Sequence, residues 1–237
     1  RFVVGPLTTL MGRYVPGGIS GDIVLSAGAV AHERAAAWTE ARRKYGTDIS
    51  TTFDNLADPA TVVYEVYLGA KLHDITDEAK LSVMPGEVIG AALERLLHWE
   101  QVDGRVTRGL GEGALAPLDA WGPEQTGIGF IDPGATGVFD VDAKIATLLD
   151  KWPAYRDVVR EVLGGSWHTR LEKRIQRLEE LRRAGSGELV FLGMGADDWI
   201  EVLDRAVAHA LARRVTEAPR LCLNYLYTAA FLEFVRE

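Results

Sequence analysis

A single cysteine in 237 residues, Cys222, leaves no partner for an internal disulfide and no thiolate set for a cysteine-based zinc site. That usage fits a reducing compartment and predicts a cytoplasmic protein. No apolar run reaches the length of a bilayer span, so no membrane partner is expected. Basic residues are in deficit, 26 Lys and Arg against 34 Asp and Glu, a net charge of −8. That balance argues against a duplex nucleic-acid partner, whose binders replace released counterions with cations. A chain that opens on Arg1 rather than methionine is expected to have been trimmed or processed, which would hide any targeting signal. No internal repeat, Gly-x-Ser-x-Gly elbow or P-loop lysine occurs, and Gly109-x-Gly111-x-Gly113 follows no predicted strand, as a dinucleotide fingerprint would.

What is present is ordinary globular material, 47% hydrophobic and 25% charged, long enough for one large domain or two small ones. The charge is uneven. Residues 47–150 hold 18 acids and 6 bases, whereas residues 151–184 hold 9 bases and 5 acids. Such surfaces are expected to face each other, within one chain or across a homo-oligomer; a dedicated anionic partner is the rival explanation.

The predicted fold class is mainly α, a multi-helix bundle with at most a few short strands and a long glycine-rich loop. Val30, Ala35, Trp38, Ala41 and Tyr45 recur at near-helical spacing and predict a helix over 27–45, stopped by Gly46. Asp58-Pro59 reads as a helix start for the apolar run to Leu72, with a strand at 61–68 as the alternative. Val88/Ile89, Ala92/Leu93 and Leu96/Leu97 give a clean stripe over 86–100. From Gly104 to Gly137, nine glycines and three prolines are interspersed with Leu110, Trp121, Phe130 and other large apolar residues. A loop of this composition is expected to dock on the body of the protein, often over a site. Helical pattern resumes at 142–163, with a break at Trp152-Pro153 possible, and at 167–184, where Ser166 is the expected N-cap. A short strand at 188–192 precedes helices at 197–215 and 218–235. Asp198-x-x-Glu201 has the spacing of a capping box. The last helix is apolar almost all round and belongs in a core or an oligomer interface.

The residues that suggest chemistry are His73-Asp74, at the end of the apolar run, and His32 upstream. Neutral imidazoles and carboxylates suit a borderline divalent ion. The stretch Val63-Tyr-Glu-Val-Tyr-Leu-Gly-Ala-Lys-Leu-His73-Asp74-Ile75 resembles the signature helix of the HD-domain superfamily of metal-dependent phosphohydrolases. His32-Glu-Arg34-Ala35-Ala-Ala-Trp38 is similar to the segment that supplies the family's first histidine. His98-Trp-Glu100-Gln-Val-Asp103-Gly104 is similar to a run in the branch that cleaves cyclic dinucleotides, and Asp142 to Asp150 could stand where the family places its last aspartate. The chain departs from the pattern at Thr76-Asp77, where the family has Gly-Lys. It departs again at Arg105-Val106-Thr107, where the dinucleotide branch has Gly-Tyr-Pro. Met84-Pro85 in place of His-Pro favours one metal over two.

The resemblance covers residues 28–150. It implies an HD-like helical domain over 1–150, with the glycine-rich loop at 104–137, and an accessory or dimerisation region over 151–237. It also implies a site in which His32, His73, Asp74 and Asp150 bind Mn, Fe, Co or Ni. Asp103 and Asp119 are rivals for the fourth position. Asp74 would be catalytic, and Arg105 and Arg108 would hold the phosphate of a nucleotide or other small-molecule substrate. A different class of function is a non-catalytic assembly or adaptor subunit working through its apolar last helix. Taken singly, a His-Asp pair at a helix end is also an ordinary cap and turn. Glu94 and His98, at i and i+4, read as a surface pair. Asp197-Asp198-x-x-Glu201 lacks the second metal motif that helical terpenoid synthases carry, since Asn224, Thr228 and Glu233 miss its register.

Overall fold

The computed structural model describes residues 3–12, 15, 22–58, 60–64, 66, 78–103, 140–184 and 193–236. The chain is mainly α-helical, with eight helices and no strand among those residues. They are α1 (Val4–Thr9), α2 (Ala27–Ala35), α3 (Thr47–Ala57), α4 (Glu78–Asp103), α5 (Val141–Leu163), α6 (Gly165–Arg183), α7 (Ala196–Arg213) and α8 (Glu217–Arg236). Two compact units result, Arg1–Phe139 and Asp140–Glu237. The strand expected at 188–192 and the glycine-rich loop at 104–137 lie outside the described residues.

In the first unit α3 packs on α4. Ile49, Phe53 and Ala57 repeat every fourth residue on α3 and are buried, as are Ile89, Ala92, Leu93 and Leu96 on α4. The single helix expected over 27–45 is not formed. It ends at Ala35, because Ala36 turns extended (ψ 149°), and residues 40–46 form turns. The expected apolar stripe is therefore not a core face: Val30, Trp38 and Tyr45 are exposed. Gly46 does not stop that helix either. It seats the turn on α4, where an added Cβ would lie 2.4 Å from the Ala41 carbonyl oxygen and 2.5 Å from the Ala91 Cβ. Gly46→Ala is expected to cost about 1–3 kcal/mol through overpacking, read as a lowered thermal midpoint of the first unit. An unchanged midpoint would show that the turn can move away from α4.

The helix expected from Asp58 is replaced, where it is described, by a turn. Asp58 is the C-cap of α3 and is extended (ψ 112°), as a residue before proline prefers. Its Oδ1 accepts from the Ala60 amide at 2.9 Å and its Oδ2 from the Thr61 hydroxyl at 2.7 Å. Residues 61–64 are neither helix nor strand. α3 itself falls between the helices that periodicity had suggested. α4 extends the expected 86–100 helix in both directions and carries Pro85 inside it.

The second unit is a bundle in which α5 packs on α6, α7 and α8, and α7 packs on α8. α5 runs unbroken through Pro153, with Leu149, Trp152, Val159 and Val162 buried on either side of it. Burial of that face offsets the hydrogen bond that proline cannot donate. Gly164, at φ 88°, joins α5 to α6, a left-handed conformation that favours glycine. The turn therefore falls before Ser166, which lies inside α6 instead of capping it. Trp167, Leu171, Ile175 and Leu178 form the buried stripe of α6. On α8, Cys222, Leu223, Tyr225, Leu226, Ala229, Ala230 and Leu232 are all buried, so its apolar faces serve the core of its own unit. No helix among the described residues is long and apolar enough to cross a membrane.

Candidate functional site

The most unusual feature of the first unit is a buried cluster of charge. Arg42, 1% exposed, is the largest fully buried side chain among the described residues of the unit. Its Nη1 donates to Asp54 Oδ2 at 2.6 Å, and its Nη2 donates to Glu33 Oε2. The Trp99 indole donates to Asp54 Oδ1 at 2.9 Å, and Arg95 Nε stands 3.1 Å from the same oxygen without hydrogen-bond alignment. The Thr51 hydroxyl donates to Glu33 Oε2 at 3.2 Å. The guanidinium of Arg42 lies 5.0 Å from the ring centre of Trp38, whose indole donates to the Glu33 carbonyl.

Local sequence explains the gathering. On α3, Ser50 and Asp54, and Thr51 and Asn55, repeat at i and i+4 beside the apolar row of Ile49, Phe53 and Ala57, so one buried helix presents both an oily and a polar stripe. Two carboxylates balance two guanidiniums, the condition under which buried charge is tolerated. Burial pulls the Arg95 guanidinium below its ordinary range; the Asp54 carboxylate opposes that shift and the Arg42 charge adds to it. Both oxygens of Asp54 are engaged by donors, so the cluster has the character of a structural clamp more than of an open acid–base pair.

The expected site residues are distributed differently. His32 lies on α2 and faces solvent, while its neighbour Glu33 is the residue turned inward. Asp150 is exposed on α5, in the second unit, beside Leu149, Glu179, Arg182 and Arg183 around a shallow depression. His73, Asp74, Arg105, Arg108 and Asp119 lie outside the described residues. Asp103 is the last residue of α4. Among the described residues no group of three or more His, Cys, Asp or Glu side chains stands together as a metal site. Glu94 accepts from the Thr39 hydroxyl at 3.0 Å, which ties it to the 39–46 turn.

In the second unit the expected capping box at α7 is absent. Its N-cap is Gly195, with no side-chain cap bond. Asp198 instead accepts from Arg170 and, at 3.3 Å, from Arg174, so arginines of the basic segment find their counter-charge inside their own unit. Glu201 accepts from the Trp167 indole and from Arg205, both at 2.8 Å; these bonds, the indole's first, hold its carboxyl below the usual range. No family model, curated protein or solved structure matches the chain.

Proposed function

We propose that the chain is a metal-dependent phosphohydrolase acting on a nucleotide or another phosphorylated small molecule. Its chemistry would lie on His32, His73 and Asp74, with Arg105 and Arg108 against the phosphate. The reading rests on the His-Asp pattern of residues 28–150 and on one structural observation, the exposed imidazole of His32 at the last turn of α2, where a ligand can reach it. Of these residues only His32 is described. The lone Cys222 is compatible with a cytoplasmic setting, and the uneven charge with a homo-oligomer. The assembly-subunit reading is less favoured. It needs a broad apolar face on 218–235, and residues 218–232 are all buried or half-buried.

Metal analysis of the purified full chain by mass spectrometry tests the proposal. Near-stoichiometric Mn, Fe, Co or Ni is expected. In a folded Asp74→Ala variant the bound metal should fall at least about tenfold, the least that loss of a metal-supporting group produces. Absence of bound metal, with none taken up on titration, would overturn the hydrolase reading.

A further inference from the structure

α2 is attached to its unit in an unusual way. Of its nine residues only Glu33 is buried; Ala29 is half-buried and the other seven are exposed. The helix therefore contributes no buried apolar side chain, whereas α3 and α4 interlock through isoleucine, leucine and phenylalanine. Among the described residues, what holds α2 down is the Glu33 carboxylate, gripped by Arg42 and by the Thr51 hydroxyl at 3.2 Å, together with the Trp38 indole on the Glu33 carbonyl at 3.1 Å. Its N-terminus is closed by Ser26, whose hydroxyl accepts from the Ala29 amide.

We propose that α2 is a charge-latched strap, docked through the Glu33–Arg42 pair and released as a unit when that pair is broken. A nine-residue helix is too short to persist alone in water, so an undocked α2 also melts. Opening it removes one carboxylate from the cluster and leaves Arg42 and Arg95 against Asp54 alone. It also displaces His32, which sits on the same turn. Docking of α2 through this pair does not depend on whether the chain binds a metal.

Hydrogen exchange of the full chain, resolved to peptides from α2, α3 and α4, decides it. In the wild type, amides of 27–35 are expected to exchange at least about a hundredfold faster than those of 49–57 and 89–99, as an element that opens locally must. In Glu33→Gln, which keeps the shape and removes the charge, exchange of 27–35 should rise at least about tenfold further, while α3 and α4 change by less than about twofold. Thr51→Val, which takes only the hydroxyl from the latch, should produce a smaller rise in the same peptide. Wild-type α2 protected as well as α4 would overturn the proposal. So would a Glu33→Gln variant in which α2 is unchanged, or in which α3 and α4 loosen with it.

Discussion

Replacing Arg42 with methionine is expected to destabilise the first unit by about 3–5 kcal/mol, because it leaves the buried Asp54 carboxylate without its aligned cation and unlatches Glu33. The stem of methionine fills much of the arginine's volume, so the loss measures charge more than packing. Asp54 would retain the Trp99 indole and Arg95, but Arg95 is poorly aligned on it and cannot replace a 2.6 Å bond. The measurement is urea denaturation, with hydrogen exchange in α3 and α4 separating this unit from the helical bundle of the other. A combined Arg42→Met, Glu33→Gln variant should cost less than the sum of the two single changes, since each alone already breaks the Glu33–Arg42 pair. Strict additivity, or a loss below about 1 kcal/mol, would show that water reaches the cluster and that burial is not what makes it costly to break.

The same residue thus has two kinds of neighbour. Asp54 projects from α3, whose other face is the apolar core, so the Arg42–Asp54 bond is bound up with α3–α4 packing. Glu33 projects from a helix with nothing else buried. Breaking the first bond is expected to loosen the unit, and breaking the second to release one strap. The contrast follows from the surroundings of each carboxylate and not from any difference in their chemistry.

Helices were legible in the sequence where apolar spacing and burial coincide, as in α6, where Trp167, Leu171, Ile175 and Leu178 form both the predicted stripe and the buried face. They were misread where apolar spacing is not burial. Val30, Trp38 and Tyr45 keep helical register yet are exposed, while the residues that tie that segment down are Glu33 and Arg42. Periodicity of hydrophobic residues carries no signal for a segment held by charge. α3 had a usable signal, Ile49, Phe53 and Ala57 at i, i+4 and i+8, masked by the polar residues between them. Those polar residues are buried as well. At His32 the resemblance points to the imidazole, whereas the buried group is the neighbouring Glu33. At Asp198 spacing alone suggests a capping pattern, and it carries no signal that two arginines 24 and 28 residues upstream take the carboxylate.

Truncation of Leu226 to alanine gives the second large effect and decides what the apolar last helix is for. Leu226 is fully buried on α8, a helix packed against α5 and α7. Its loss is expected to cost about 2–5 kcal/mol, the range for a leucine removed from a closely packed core. Cys222, one turn earlier on α8, provides a reporter specific to this unit. The thiol is buried, and burial pushes its pKa up, so both access and thiolate are withheld from a thiol reagent until the bundle opens. In Leu226→Ala the labelling rate of native protein should rise by a factor of about 30 or more, since each 1.4 kcal/mol is tenfold in the open population. Amide exchange in α3 and α4 should be unaffected. If α8 worked instead as a seam between subunits, labelling would slow as protein concentration rises, by mass action. A core helix gives a rate independent of concentration. The burial of Leu223, Tyr225 and Ala229 on neighbouring positions of α8 favours that outcome.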